Sequence, residues 1–279
     1  MINIGVRAHD FGKHLPEEIA EKVYSNGFSC IQLAMAKAFS NFDKLHHKLT
    51  PGYANRIRRI FNHRQIDIAV LGCYINPIHP DRMIREESLL RFEEHLRVAR
   101  DFGCAIVATE TGSRNPDCSY NPLTETEEAF LEFVSVIKRL SKTAENFGTI
   151  IGIEGVAHQH TINTHERMVR LLELVDSSNV QVVYDPVNFI PYDRCHDHEE
   201  HIKEAFELFG DRIVAIHAKD FDVADGKKRA DLPSGKGKLN YPFFFELLEK
   251  KKPGIHVLLE NNTPETMEAS VNFVKSIGK

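Results

Sequence analysis

The stretch IIGIEGVAHQH, residues 150–160, constrains the fold more than any other part of the chain. Its apolar run shows no alternation, which is how a strand reads when both faces are covered, as in a parallel sheet wrapped by helices. The run ends in a carboxylate, Glu154, and breaks at Gly155 into a loop carrying His158 and His160. A carboxylate at the C-terminal tip of a buried strand sits where such a sheet opens to ligand. If other strands end the same way, their tips share one site.

Seven more apolar runs read as strands. Strands are expected over residues 3–7, 29–33, 67–74, 105–110, 180–185, 213–217 and 255–260, alternating with helices over 16–26, 50–63, 81–102, 164–175, 196–209, 241–250 and 264–277. One further helix is expected to start at a capping box formed by Thr124 and Glu127 and to stop at Gly148. Residues 220–239 read as a long polar Gly-containing loop, and loops of that length tend to be functional. Eight strand-helix units in 279 residues predict an α/β fold with one closed (β/α)8 TIM barrel spanning residues 1–279, since such barrels typically take ~250 residues.

Composition excludes several classes. A net charge of -5 argues against holding a nucleic-acid backbone by bulk electrostatics. The opening MINIGVRAHD lacks a basic segment followed by an apolar run, so no secretory signal, no membrane partner and a cytoplasmic location are expected. The 5 cysteines include no CxxC pair, and Cys30, Cys73 and Cys104 lie in or beside apolar runs as expected buried thiols. Nothing in the sequence opposes a homo-oligomer.

At the tips of the last four strands stand Glu154, Asp185, His217 and Glu260. In a barrel these tips face one another across the mouth, where active sites of this architecture lie. Three carboxylates crowded into one pocket repel and take up protons unless a cation neutralises them. Oxygen donors with one imidazole and no thiolate suit one divalent ion, Mn²⁺, Mg²⁺, Co²⁺ or Zn²⁺.

Around these residues the chain resembles the xylose-isomerase-like TIM-barrel superfamily of sugar and sugar-phosphate isomerases and epimerases, whose members include ketose 3-epimerases, hydroxypyruvate isomerase and inosose dehydratase. The marks are IEG at Glu154, YDPVN at Asp185, IHAKD at His217, PSGKGKLNY over residues 233–241, and LLEN at Glu260. The resemblance implies a metal site made by Glu154, Asp185, His217 and Glu260. It implies a metal-dependent isomerase or epimerase of a small polyhydroxy keto or aldehyde compound, a sugar or sugar phosphate. A lyase of the inosose-dehydratase kind would use the same site. In such chemistry a chelated carbonyl makes the neighbouring carbon acidic, and Glu154 and Glu260 fit the proton-moving roles. Two positions depart from the ketose 3-epimerases: His160 stands where they carry a second Glu, and Asn188 where they carry a His. Asn188 and the segment Asp231-Leu232-Pro233 also depart from the three-metal type IV apurinic endonucleases, which share this barrel.

Other residues are placed to meet substrate. Arg7 and His9 follow the first strand and His158 and His160 follow the fifth, so all four are candidate substrate contacts, as is Asn188. Lys236, in Gly235-Lys236-Gly237-Lys238, is a candidate phosphate contact, although the run lacks the spacing of a Walker loop. Glu110 and Thr111 end the fourth strand. The run from Cys195 to His201 has metal-binding composition but reads as the solvated start of a helix, where Asp and Glu favour the helix dipole.

Overall fold

Each apolar run becomes a strand because it can bury side chains both inward and outward. In the computed structural model, which describes residues 2–42 and 49–277, these strands are β1 (Asn3–Arg7), β2 (Cys30–Leu33), β3 (Asp67–Gly72), β4 (Ile106–Glu110), β5 (Ile150–Glu154), β6 (Val180–Tyr184) and β7 (Ile213–Ala218). A hairpin, β8 (Asp220–Ala224) and β9 (Lys227–Leu232), intervenes before β10 (His256–Leu259). The parallel strands pair in the order β1, β2, β3, β4, β5, β6, β7, β10, and β10 returns to β1 to close a (β/α)8 barrel.

Inside the barrel, Cys30, Val70, Ala108, Val183, Ala215 and Leu258 form one buried cluster. Two glycines make room for it. A Cβ on Gly5 would lie 2.5 Å from the Cys30 carbonyl oxygen, and one on Gly152 would lie 2.7 Å from Val183 Cγ2. The outward faces of the strands join a second, larger cluster with the surrounding helices. Cys30, Cys73 and Cys104 are buried free thiols whose pKa values burial pushes up to about 12.

The helices start where the sequence supplies caps. Thr50, Asp81, Thr164 and Asn240 accept backbone N–H bonds from Tyr53, Met83, Arg167 and Phe243, satisfying donors that a helix start leaves open. The expected box at Thr124 is corrected. The cap is Thr126, which accepts from Ala129 N, whereas Thr124 is buried and accepts from Arg114 N at 2.9 Å. Two helix boundaries also shift, because 3-10 turns over Ala99–Phe102 and Tyr192–Asp197 replace α-helix there.

The expected loop over residues 220–239 is corrected too, since much of it is the β8–β9 hairpin. Its turn is Asp225-Gly226, with φ of 52° and 69°, and Asp-Gly is the pair that tolerates positive φ at both central positions of a tight hairpin. The hairpin is tied down at its base. The Asp220 carboxylate accepts from the backbone N–H of Phe221, Gly235 and Leu239 at 2.9, 3.1 and 2.9 Å. Gly237 passes so close that a Cβ there would lie 2.2 Å from the Phe221 carbonyl oxygen. At its outer end Lys228 donates to the carbonyls of Val187 and Ile190, in the segment that follows β6.

Candidate metal centre

Parallel register brings the tips of β5, β6, β7 and β10 together. Glu154 ends β5 and His217 lies near the end of β7, while Asp185 and Glu260 follow β6 and β10 by one residue. Potential ligand atoms of the four all lie within 4.8 Å of one another, and each residue is at most 3% exposed. Two donors at opposite sides of an ion with ~2.1 Å bonds stand ~4.2 Å apart, so this spread suits a single ion.

Each ligand candidate is held by a partner. Asp185 caps the short helix Pro186–Phe189, accepting from Asn188 N at 3.0 Å through Oδ1. Its other oxygen, Oδ2, is buried without an aligned hydrogen bond. The Asn188 side chain donates to Glu154 Oε1 at 2.8 Å. Arg7 lies 3.1 Å from Glu260 Oε1 and also donates to Asp10 Oδ1 and to the side-chain oxygen Oδ1 of Asn261 at 3.0 Å each. His217 Nε2 meets Gln32 Oε1, and the same amide donates through Nε2 to the Tyr74 hydroxyl. That contact puts the ring proton on Nε2 and leaves Nδ1 as the inward-facing donor atom. His217 Nδ1 stands 3.0 Å from Glu154 and 3.2 Å from Glu260, in charge contact but outside hydrogen-bond alignment.

One member of the cluster was absent from the sequence reading. The buried Lys219 ammonium lies 2.8 Å from Asp185 Oδ2 and 3.2 Å from Glu260 Oε2. It sits two residues past His217, and only the kept alternation of an edge-free strand, in IHAKD, could have pointed it inward. Tyr241 OH and Ser234 Oγ fix this corner by donating to the Lys219 and Ala218 carbonyls. The conspicuous PSGKGKLNY motif therefore builds the scaffold under Lys219 and Asp220.

The electrostatics separate the two glutamates. Burial raises Glu154 to about 6 against the pull of His217. Burial would also raise Glu260, but His217, Lys219 and Arg7 outweigh it and hold its carboxyl well below the ordinary range. Burial alone would lower His217, yet Glu154 and Glu260 lift it to about 9. A cation at this centre would displace that Nδ1 proton. One imidazole, three carboxylates and two buried donor atoms lacking aligned partners fit a divalent ion.

The remaining candidates scatter around this core. His9 is largely buried, its Nδ1 has no hydrogen bond, and burial followed by Arg7 lowers it to about 3. His160 is buried 3.7 Å from Glu110, on the neighbouring tip. His158 is exposed with φ 60° and lines a pocket with Asn188 and Lys228. Lys236 is exposed on the loop after the hairpin. In the run from Cys195 to His201, His196 is exposed as expected, but His201 is buried and stacks on His165 at 4.0 Å. Glu204 beside that pair is taken by Arg194 at 3.0 Å.

Fold and centre together define a (β/α)8 barrel with an acid-and-imidazole cluster sunk in its mouth. The chain belongs to the xylose isomerase-like TIM barrel family, whose model matches residues 20–277. Among solved structures it is similar to a 3-keto-D-glucoside 4-epimerase from E. coli, with 16% identity, TM-score 0.75, and 99% of this chain against 100% of that one. It is similar to a xylose isomerase-like TIM barrel protein from Mycobacterium smegmatis in complex with magnesium, at 16% identity, TM-score 0.74, and coverage of 99% and 96%. It is also similar to an IOLI protein with a bound zinc atom, at 18% identity, TM-score 0.72, and coverage of 99% and 96%. At these identities the likeness is one of fold. No curated protein matches the chain significantly by sequence. Among the described residues, no helix is long and apolar enough to cross a membrane.

Proposed function

We propose that this protein is a divalent-metal-dependent isomerase or epimerase of a small polyhydroxy keto or aldehyde compound, a sugar or sugar phosphate. The observation that carries the reading is the convergence of Glu154, Asp185, His217 and Glu260 within 4.8 Å at the buried barrel mouth. A divalent ion there would supply Lewis-acid polarisation of a substrate carbonyl. Asp185 and His217 serve to hold it. Glu154 and Glu260, which meet His217 Nδ1 at 3.0 and 3.2 Å, are the two carboxylates that exchange a proton with the carbon next to the carbonyl. Burial of the whole cluster excludes water that would otherwise compete for the proton.

A lyase outcome is the second reading, since the same cluster would serve it. The two are told apart by incubating Mn²⁺-loaded protein with ketoses, ketose phosphates and inososes in heavy water. Deuterium uptake into an isomeric product supports the isomerase, and a product that has lost water supports the lyase. Absence of exchange with every compound, together with unchanged behaviour of Glu154→Gln and Glu260→Gln, refutes both.

A further inference from the structure

Beside the centre, on the side of the mouth built by β2 and β3, lies a cavity of about 500 Å³, within the range of small-molecule sites. Among the described residues, its walls carry Lys13, Lys37 and Arg91, with His95, and no Asp or Glu. Several other arginines on or facing the helix that carries Arg91 are paired. Arg85 and Arg114 reach Glu132, Arg97 reaches Glu93, and Arg139 reaches Glu86 and Glu93. Arg91, on the same helix as Arg85 and Arg97, lies instead against the Cys73 thiol. Among the described residues, Lys13, Lys37 and Arg91 form no ion pair with a carboxylate.

Lys37 joins this cavity to the metal ligands. Its ammonium lies 3.9 Å from the centroid of the Tyr74 ring, the Tyr74 hydroxyl accepts from Gln32, and Gln32 meets His217. Lys37 and Arg91 also face an adjoining pocket that carries Glu110 and Asp117, but within this cavity the three like charges repel each other, and an anion between them would relieve that. A fork such as Arg91 also suits phosphate or carboxylate oxygens.

We propose that this cavity holds the anionic end of the substrate, so that the barrel acts on a keto sugar carrying a phosphate ester or a carboxylate. The inference rests on the isomerase reading above and assigns its substrate class. Calorimetric titration of the metal-free protein with inorganic phosphate, dihydroxyacetone phosphate, glycerate and neutral dihydroxyacetone tests it, with Mn²⁺ binding measured in parallel. The anions are expected to bind more tightly than the neutral ketone and to weaken as salt is added. Lys37→Gln and Arg91→Gln are each expected to raise the anion Kd by about tenfold or more, while Arg91→Lys retains part of the affinity. Tighter binding of dihydroxyacetone phosphate than of glycerate assigns a phosphate ester, and the reverse order assigns a sugar acid. Lys37 is exposed, so its variant is read on a folded protein even where an Arg91 variant is not. The proposal is overturned if no anion binds, if the neutral ketone binds as tightly as its phosphate, or if Lys37→Gln leaves anion affinity unchanged. Retained Mn²⁺ binding in those cases leaves the isomerase reading standing, whereas loss of Mn²⁺ binding by the unsubstituted protein strikes at that reading itself.

Discussion

Replacing Lys219 with Met removes the one ammonium buried among three carboxylates and tests the charge balance of the centre directly. Near neutral pH, Glu154, Asp185 and Glu260 face Lys219, Arg7 and a His217 that stays protonated up to about 9. The methionine keeps the length of the side chain but leaves the site one positive charge short. Breaking a buried pair by removing one partner costs about 3–5 kcal/mol. Glu154 sets where in that range the loss falls. Its pKa is already raised to about 6, above the ordinary 4.5, and loss of a nearby cation moves it further up. A carboxyl raised in the folded state contributes stability that is present below its unfolded pKa and is lost as pH rises through the folded one. The variant is therefore expected to lose about 3 kcal/mol near pH 5 and about 5 kcal/mol above pH 8. Urea unfolding of metal-free protein across that range measures the loss. Mn²⁺ restores the missing charge, so it is expected to stabilise Lys219→Met more than the unsubstituted protein. Equal stability of the two metal-free proteins to within about 1 kcal/mol at every pH would refute the reasoning, because Lys219 would then carry no share of the balance.

Asp185→Asn leaves the helix cap to Asn188 largely intact but removes a charged donor, and Mn²⁺ affinity by calorimetry is expected to fall by at least about a hundredfold. Burial lowers His95 to about 4 and His165 to about 3, the latter also opposed by His201. Both are thus neutral in the fold and take up protons on unfolding, so stability is full above pH 6.5 and declines as pH falls toward 4. The decline amounts to about 3 kcal/mol per histidine, and the urea midpoint of His95→Gln is expected to lose part of that slope. A Cβ at position 237 would meet the Phe221 carbonyl oxygen at 2.2 Å, so Gly237→Ala is expected to cost about 1–3 kcal/mol. It is also expected to slow substrate deuterium exchange, because Gly237 packs on the Asp220 corner beside Lys219; a normal urea midpoint would remove the basis for both effects.

The barrel was legible in the chain because its determinants are local. Continuous apolar runs mark strands covered on both faces, and Pro, Thr, Asp and Gly at the junctions start and stop the helices between them. The three acids and the imidazole were legible for a related reason: in a parallel barrel every strand ends at the same face, so position along the strand predicts position in the site. The hairpin was written locally as well, in Asp225-Gly226, although the polar composition around it concealed the strands. What the sequence could not show is what depends on contacts across the fold. Arg7, a candidate substrate contact in the sequence, reaches Glu260, and Lys219, which the sequence did not single out, is enclosed by Asp185 and Glu260. Gln32, an unremarked polar residue in β2, orients His217 from across the barrel. Sequence alone thus determined the fold and the tips that could bear chemistry. Tertiary structure decided which charges meet there, since burial and Coulomb energies depend on distances through space that spacing along the chain does not set.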